Sequence, residues 1–138
     1  MPDSSDIDNA IVALLGGDAT LLGYLPNGAY LDEAPPGATR FAIVSLLDSE
    51  DVLQFGGRAT ESGLYLVKAV GLSTTSPNMK AAAARVDALL EGATLTVSGY
   101  TTMTVHRVSR VRTTEVDDDD AALRWYHRGG LYRVMMST

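Results

Sequence analysis

Cysteine is absent from the 138 residues. That excludes disulfide staples, thiolate zinc sites and thiol nucleophiles together. Histidine is scarce, with His106 and His127 alone available as side chains that titrate near neutral pH. Long apolar runs are missing too. The longest, such as Ile11-Val12-Ala13-Leu14-Leu15, fall far short of the ~20 residues that cross a bilayer, so neither a membrane span nor a membrane partner is expected. Basic residues are outnumbered 11 to 17, giving a net charge of −6 and a pI of about 4.7. Such a balance argues against wrapping nucleic acid through phosphate contacts, which needs a basic surface. The segment Met1-Pro2-Asp3-Ser4-Ser5-Asp6 is acidic and polar, the opposite of a secretory signal, so synthesis inside the cell is expected.

What remains is ordinary for a folded domain. The apolar fraction is 46% and the charged fraction 20%, close to the globular average. A chain near 150 residues hides about two-thirds of its unfolded surface. No repeat and no linker divides the sequence, so residues 1–138 are expected to form one domain.

Ile7, Ala10, Ile11, Leu14 and Leu15 have the spacing of an amphipathic helix over residues 6–15. Ser5 or Asp6 can cap its start, and Gly16-Gly17 supplies the stop. Asp18 is placed to cap a short further turn through Leu21 and Leu22. Residues 23–40 form a connection punctuated by Pro26, Asn27, Gly28, Pro35, Pro36 and Gly37, with an extended piece at Ala29–Leu31. Phe41–Leu47 predicts a strand buried on both faces. The polar stretch Asp48–Gly63 predicts a long hairpin arm or a mobile loop, and Leu64–Leu72 a second strand. Ser76-Pro77 opens the strongest helix, with an apolar stripe of Met79, Ala82, Ala83, Val86, Leu89 and Leu90 and a stop at Gly92. Val86, Leu89 and Leu90 are expected to face the sheet over Phe41, Ile43 and Leu66. A short strand at Thr94–Val97, a turn at Ser98-Gly99 and a strand over Met103–Thr113 follow. The alternation of that strand breaks near Arg107-Val108, the mark of a bulge. After an acidic loop, Glu115–Asp120, a last strand spans Leu123–Met136 and is interrupted by Gly129-Gly130. The order predicts a single α+β domain: a mainly antiparallel sheet with two principal helices on one face, and long loops.

Catalytic equipment is thin. No motif places a nucleophile beside either histidine. No Gly-x-Ser-x-Gly elbow occurs, and the three Gly-Gly pairs match neither a dinucleotide fingerprint nor a P-loop. Asp117, Asp118, Asp119 and Asp120 offer oxygen ligands to a hard cation, but calcium loops space their ligands by two. These four are consecutive, so a solvated loop is the expectation, and no metal or cofactor is assigned. The arginines are unevenly placed. Arg107, Arg110, Arg112, Arg124, Arg128 and Arg133 all follow residue 100, whereas the first hundred residues hold 5 basic and 12 acidic side chains. A chain with unlike ends can stack on copies of itself or on charged neighbours, and Trp125, Tyr126 and Tyr132 lie in the same region.

From about residue 6 to 136 the layout resembles the tail terminator (tail completion) proteins of long-tailed bacteriophages and phage-like particles. The resemblance is carried by an ordered series. It runs from the helix ending Leu14-Leu15-Gly16-Gly17, through Tyr30–Ala38 with its proline pair, to the strand Phe41-Ala42-Ile43-Val44-Ser45-Leu46. A long polar strand-loop-strand follows, and then the alanine-rich helix ending Leu89-Leu90-Glu91-Gly92. The series closes with an arginine-bearing strand, an acidic turn and the segment Trp125-Tyr126-His127-Arg128 before Tyr132-Arg133-Val134. The family's last strand likewise brings an aromatic-His-Arg segment, and Gly129-Gly130 is a departure from it. The resemblance implies a structural virion protein without enzyme activity, made in the bacterial cytoplasm. It implies a homo-oligomeric ring, typically a hexamer, at the tail–head junction. Such a ring caps the tail tube, meets the head connector or head-completion protein, and lets DNA pass without sequence-specific binding.

On this reading Asp117–Asp120 is a lumen or docking loop, the lumen being favoured. Gln54, Phe55, Arg58, Arg107, Arg110, Arg112, Arg124 and Arg128 are then candidate contacts to neighbouring copies or partners. The alternatives are a head-completion, connector or tail-tube subunit. A small ligand-binding domain or hydrolase using His106 or His127 with the aspartates is a third.

Overall fold

Apolar residues at 7, 11 and 15 repeat once per helical turn, and they wind Ser5–Gly16 into α1 with Ile7, Ile11 and Leu15 fully buried. In the computed structural model, residues 5–54, 57–73, 77–100 and 102–137 are described, with backbone alone at 51–54, 57–59, 77–78 and 102. Asp18 caps α2 (Ala19–Tyr24) by accepting the Leu21 N–H at 2.9 Å. β1 (Ala29–Leu31), β2 (Arg40–Gln54), β3 (Gly57–Ser73), α3 (Pro77–Leu90), β4 (Thr102–Val116) and β5 (Arg124–Ser137) complete the chain. Ser76, the expected cap of α3, lies outside the described residues.

The strands form one sheet in the order β1-β2-β3-β5-β4. All pairs are antiparallel except β1 with β2. Parallel pairing of the short β1 needs a fixed approach, and Asn27 supplies it. Its Oδ1 accepts the N–H groups of Thr39 and Arg40 at 3.2 and 3.0 Å, and its own N–H donates to the Arg40 carbonyl. The fold is the expected α+β, with all three helices on one face.

That face carries the main core. Ile7, Ile11, Leu15, Leu21, Leu25, Met79, Ala82, Val86 and Leu90 from the helical side meet Ala42, Val44, Tyr65, Val67, Val105, Tyr132 and Val134 from the sheet. A smaller cluster of Phe41, Ile43 and Val70 lies on the opposite face, flanked by Ala34, Ala38 and Trp125. The Phe41 and Trp125 rings stand 6.3 Å apart there. Phe41, Ile43 and Leu66 are therefore not beneath α3. Strand side chains alternate, and Ala42 and Val44 point to the helices, where small residues let the layers approach. Leu89 is also only partly buried, whereas Leu90 is fully so.

Other boundaries differ from expectation. The Phe41–Leu47 strand is buried on both faces only to Val44, because it outruns the helix layer, and Leu46 and Leu47 are exposed. Of the two readings of Asp48–Gly63, the hairpin arm is the one observed, with β2 and β3 paired out to Gln54 opposite Gly57. Thr94–Val97 is not a strand; Leu95 and Val97 pack against the core without joining the ladder. β5 runs unbroken through Gly129-Gly130, as both glycines fit against adjoining backbone too close for a side chain. A Cβ on Gly129 would stand 2.1 Å from the Val67 carbonyl oxygen, and one on Gly130 2.8 Å from that of Ser109. The expected bulge is present, as a register shift between Arg107 and Ser109.

Candidate functional site

The bulge decides where the arginines point. With strict alternation Arg107 and Arg110 would face opposite sides of β4. The extra residue brings Arg107, Arg110 and Arg112 opposite Tyr132, Gly130 and Arg128 of β5. Tyr132 belongs to the helix-side core, so the three arginines emerge on the helix side. There they line a groove of about 580 Å³ between α3 and the β4–β5 pair, together with Lys80, Asp87 and Arg128.

Asp87 is the carboxylate in this basic setting. Arg107 Nη1 lies 3.1 Å from its Oδ1, and the Tyr132 hydroxyl donates to the same oxygen at 2.9 Å. Burial, and then this bond to an anion, push the Tyr132 hydroxyl well above the ordinary phenol range. Beside the groove, Glu91 Oε2 accepts the Arg107 N–H at 2.7 Å. That bond is the largest cause holding its carboxyl below the usual value, with His106 adding to it. Arg110 and Arg112 are exposed and make no ion pair among the described residues.

The acidic turn between β4 and β5 is not four equal charges. Asp117 Oδ2 accepts the N–H groups of Asp119 and Asp120 at 3.3 and 3.0 Å, and its Oδ1 accepts Trp125 Nε1 at 2.9 Å. Asp120 Oδ1 accepts the Ala122 N–H at 2.9 Å. Two of the carboxylates thus fold the turn, as aspartates do in Asx-turns, while Asp118 and Asp119 point outward and are exposed. Arg124 closes the turn by donating to the carbonyls of Ala121 and Leu123.

On the helix-free face His127 sits in a depression of about 280 Å³ with Phe41, Ile43, Leu66, Lys68 and Val70. Neither of its ring nitrogens has a hydrogen-bond partner among the described residues; Glu115 Oε1 lies 3.5 Å from Nε2. Burial first, and then the Lys68 charge, lower its pKa from 6.5, with Glu115 opposing. His106 is exposed and 3.4 Å from Glu91. Among the described residues no group of His, Asp and Glu side chains is placed to hold a metal ion.

The structure therefore brings Arg107, Arg110, Arg112 and Arg128 together, with Arg124 apart in the acidic turn. Gln54 and Arg58 stand at the tip of the β2–β3 hairpin, and Phe55 lies outside the described residues. Lys80, Asp87 and Tyr132 were missing from the sequence-based site. The signal that could have found the groove is the broken alternation at Arg107-Val108.

No protein-family model and no curated protein matches the sequence. Among solved structures, the chain is similar to one from a native gene transfer agent (GTA) virion particle. The TM-score is 0.69 and the identity 21%, over 98% of this chain and 97% of that one. The shared property is the fold. A second solved structure matches at a TM-score of 0.59 and 14% identity, over 100% of this chain and 97% of the other. Both likenesses run along nearly the whole chain.

Proposed function

We propose that this chain is a structural, non-enzymatic virion protein, a ring subunit that terminates the tail tube and joins it to the head connector. The observation that carries the reading is the fold likeness, along nearly the whole chain, to a chain of a gene transfer agent virion. The molecule's own chemistry agrees with it. His106 pairs with Glu91 at the surface, and among the described residues the His127 nitrogens hydrogen-bond no hydroxyl or carboxylate. In the ring, Asp118 and Asp119 face the channel. Repeated around it, they repel phosphates and let the duplex slide.

Native mass spectrometry with particle images tests the reading. The expected result is a closed ring at six times 14.6 kDa, alone or on addition of the tail tube protein. Monomers under both conditions refute it. Asp118→Asn with Asp119→Asn should leave assembly intact and slow DNA packaging or ejection. Normal DNA transfer removes the channel role of the loop and leaves the ring untouched.

A further inference from the structure

The groove between α3 and the β4–β5 pair has walls that run together. Met79 at the start of α3 lies against Gly71, which is level with Tyr126 on β5. Further along the helix, Asp87 meets Tyr132. Lys80 therefore stands at the Arg112–Arg128 end of the groove and Asp87 at the Arg107 end. The lining holds five cations, Lys80, Arg107, Arg110, Arg112 and Arg128, against the single carboxylate of Asp87. That is a local net of +4 in a chain whose total is −6. The carboxylate is already taken by Arg107 and the Tyr132 hydroxyl. Lys80, Arg110 and Arg112 are exposed and make no ion pair among the described residues. Arg112 also stands directly opposite Arg128 in the ladder, and like charges so placed destabilise a sheet. Between Arg128 and Tyr132 this face of β5 carries Gly130, level with Arg110, so no side chain fills the floor there.

We propose that this groove is a binding site for a short chain of linked phosphoryl groups, held by Lys80, Arg110, Arg112 and Arg128. Guanidinium groups present paired donors that match phosphate oxygens two at a time. An anion bound there also removes the repulsion between Arg112 and Arg128. All of these cations belong to one chain, so the site stands apart from the ring reading.

Length and charge density select that ligand over longer or sparser anions. The levels of Tyr132 and Arg128 on β5 lie about 13 Å apart, at ~3.3 Å per residue. An extended acidic peptide turns a carboxylate to one face every second residue, and so brings only about two charges into that length. A terminal phosphate alone carries about −1.5 to −2, and a di- or triphosphate concentrates about three to four charges there. Nucleic acid is too long. A strand that runs on past the groove meets Asp87 and Glu91 at one end. At the other it meets the exposed Asp118 and Asp119, beyond Val116. Val116 is level with Arg124, a further ~13 Å along β5 from Arg128. That exceeds the ~8 Å screening length at physiological salt, so the turn leaves the arginines un-neutralised while it repels a polyanion continuing along the strand. Base stacking is missing too. The groove's one ring is Tyr132, which is 2% exposed, whereas proteins that hold single strands stack bases on open aromatic faces.

Isothermal titration calorimetry and thermal unfolding of the full chain with sodium tripolyphosphate test the site. One tripolyphosphate should bind per chain and raise Tm by roughly 8 °C at a hundredfold excess over its Kd. Arg112→Gln should weaken binding by more than about tenfold through the loss of a charge-assisted hydrogen bond. Its Tm without ligand, expected to be no lower than the wild type's because one of two like charges is gone, shows that it is folded. Lys68→Gln removes the same charge from the helix-free face and should bind as the wild type does. ATP distinguishes the two sources of a phosphate chain. Affinity equal to or below that of tripolyphosphate assigns the groove to the chain alone, and higher affinity to a nucleotide; Arg112→Gln should weaken both. No binding, or a Tm rise matched by sodium sulfate at equal ionic strength, overturns the site. Equal losses in Arg112→Gln and Lys68→Gln overturn the groove as its location. An oligo-aspartate peptide or a DNA duplex that binds through Arg112 and is not displaced by tripolyphosphate overturns the ligand class.

Discussion

Gly129→Ala tests whether β5 is one strand. Gly129 pairs with Lys68 on β3 and Val111 on β4, so it lies inside the sheet. An alanine Cβ there would stand 2.1 Å from the Val67 carbonyl oxygen and 2.5 Å from Lys68 Cα. Both atoms are backbone, and β3 is tied to β2 on its other side, so relief requires parting β3 from β5. Overpacking costs about 1–3 kcal/mol, and losing two ladder hydrogen bonds adds roughly 1 kcal/mol each. The sum, about 3–5 kcal/mol, lies in the far tail of single substitutions. For a chain of this size it lowers Tm by roughly 10–15 °C. Urea denaturation followed by circular dichroism measures it, with Gly16→Ala as the control. A Cβ at Gly16 meets nothing within 4 Å, and its cost should stay within about 0.5 kcal/mol. If the two variants unfold at the same urea concentration, β5 is interrupted at this pair and the close approach is wrong.

The helices and the strands were legible to different degrees, and for physical reasons. α1 and α3 bury one stripe each, so their period shows directly in Ile7, Ile11 and Leu15 and in Met79, Ala82, Val86 and Leu90. The outer ends of β2 and β3 were legible only as a choice between a hairpin arm and a loop. Their outer halves are held by backbone pairing in a hairpin arm, which leaves no apolar alternation to read. Thr94–Val97 misled in the opposite sense: Val97 is 7% exposed through packing, with no ladder to support a strand. The inward face of β2 was misassigned because size suggests that Phe41 and Ile43 fill the main core. The helices instead pack on the smaller Ala42 and Val44, and the large residues form the lesser cluster beside Trp125.

The site was half legible. The concentration of arginine after residue 100 was plain, and so was the acidic turn. Their geometry was not, because one inserted residue at the bulge reverses the face of everything after it. The four aspartates are alike in sequence and unlike in space, since Asp117 alone reaches Trp125.

Two further predictions follow from burial. Leu90 is fully buried and Leu89 only partly so. Leu90→Ala should therefore cost about 2–5 kcal/mol and Leu89→Ala under about 1.5 kcal/mol; equal costs in urea unfolding would mean that α3 is turned. His127 sets a pH dependence. Its folded pKa is lowered from 6.5, by burial first and then by Lys68, so the unfolded chain takes up a proton before the folded one does. No stability is lost well above pH 6.5, and the loss grows as pH falls below that value towards the folded pKa. Asp18 works lower on the scale. The hydrogen bond from Arg85, and then the Leu21 N–H, hold it at about 2 instead of 3.8, so its contribution is intact above pH 3.8 and is lost as pH falls from there through 2. Between pH 7 and 5 the histidine is separable. His127→Leu removes its titration while keeping an apolar side chain beside Phe41 and Val70, and the Tm of the variant should change less over that range than that of the wild type. Equal pH slopes in the two proteins would mean that His127 is solvated in the folded chain, and that the helix-free face is open at this point.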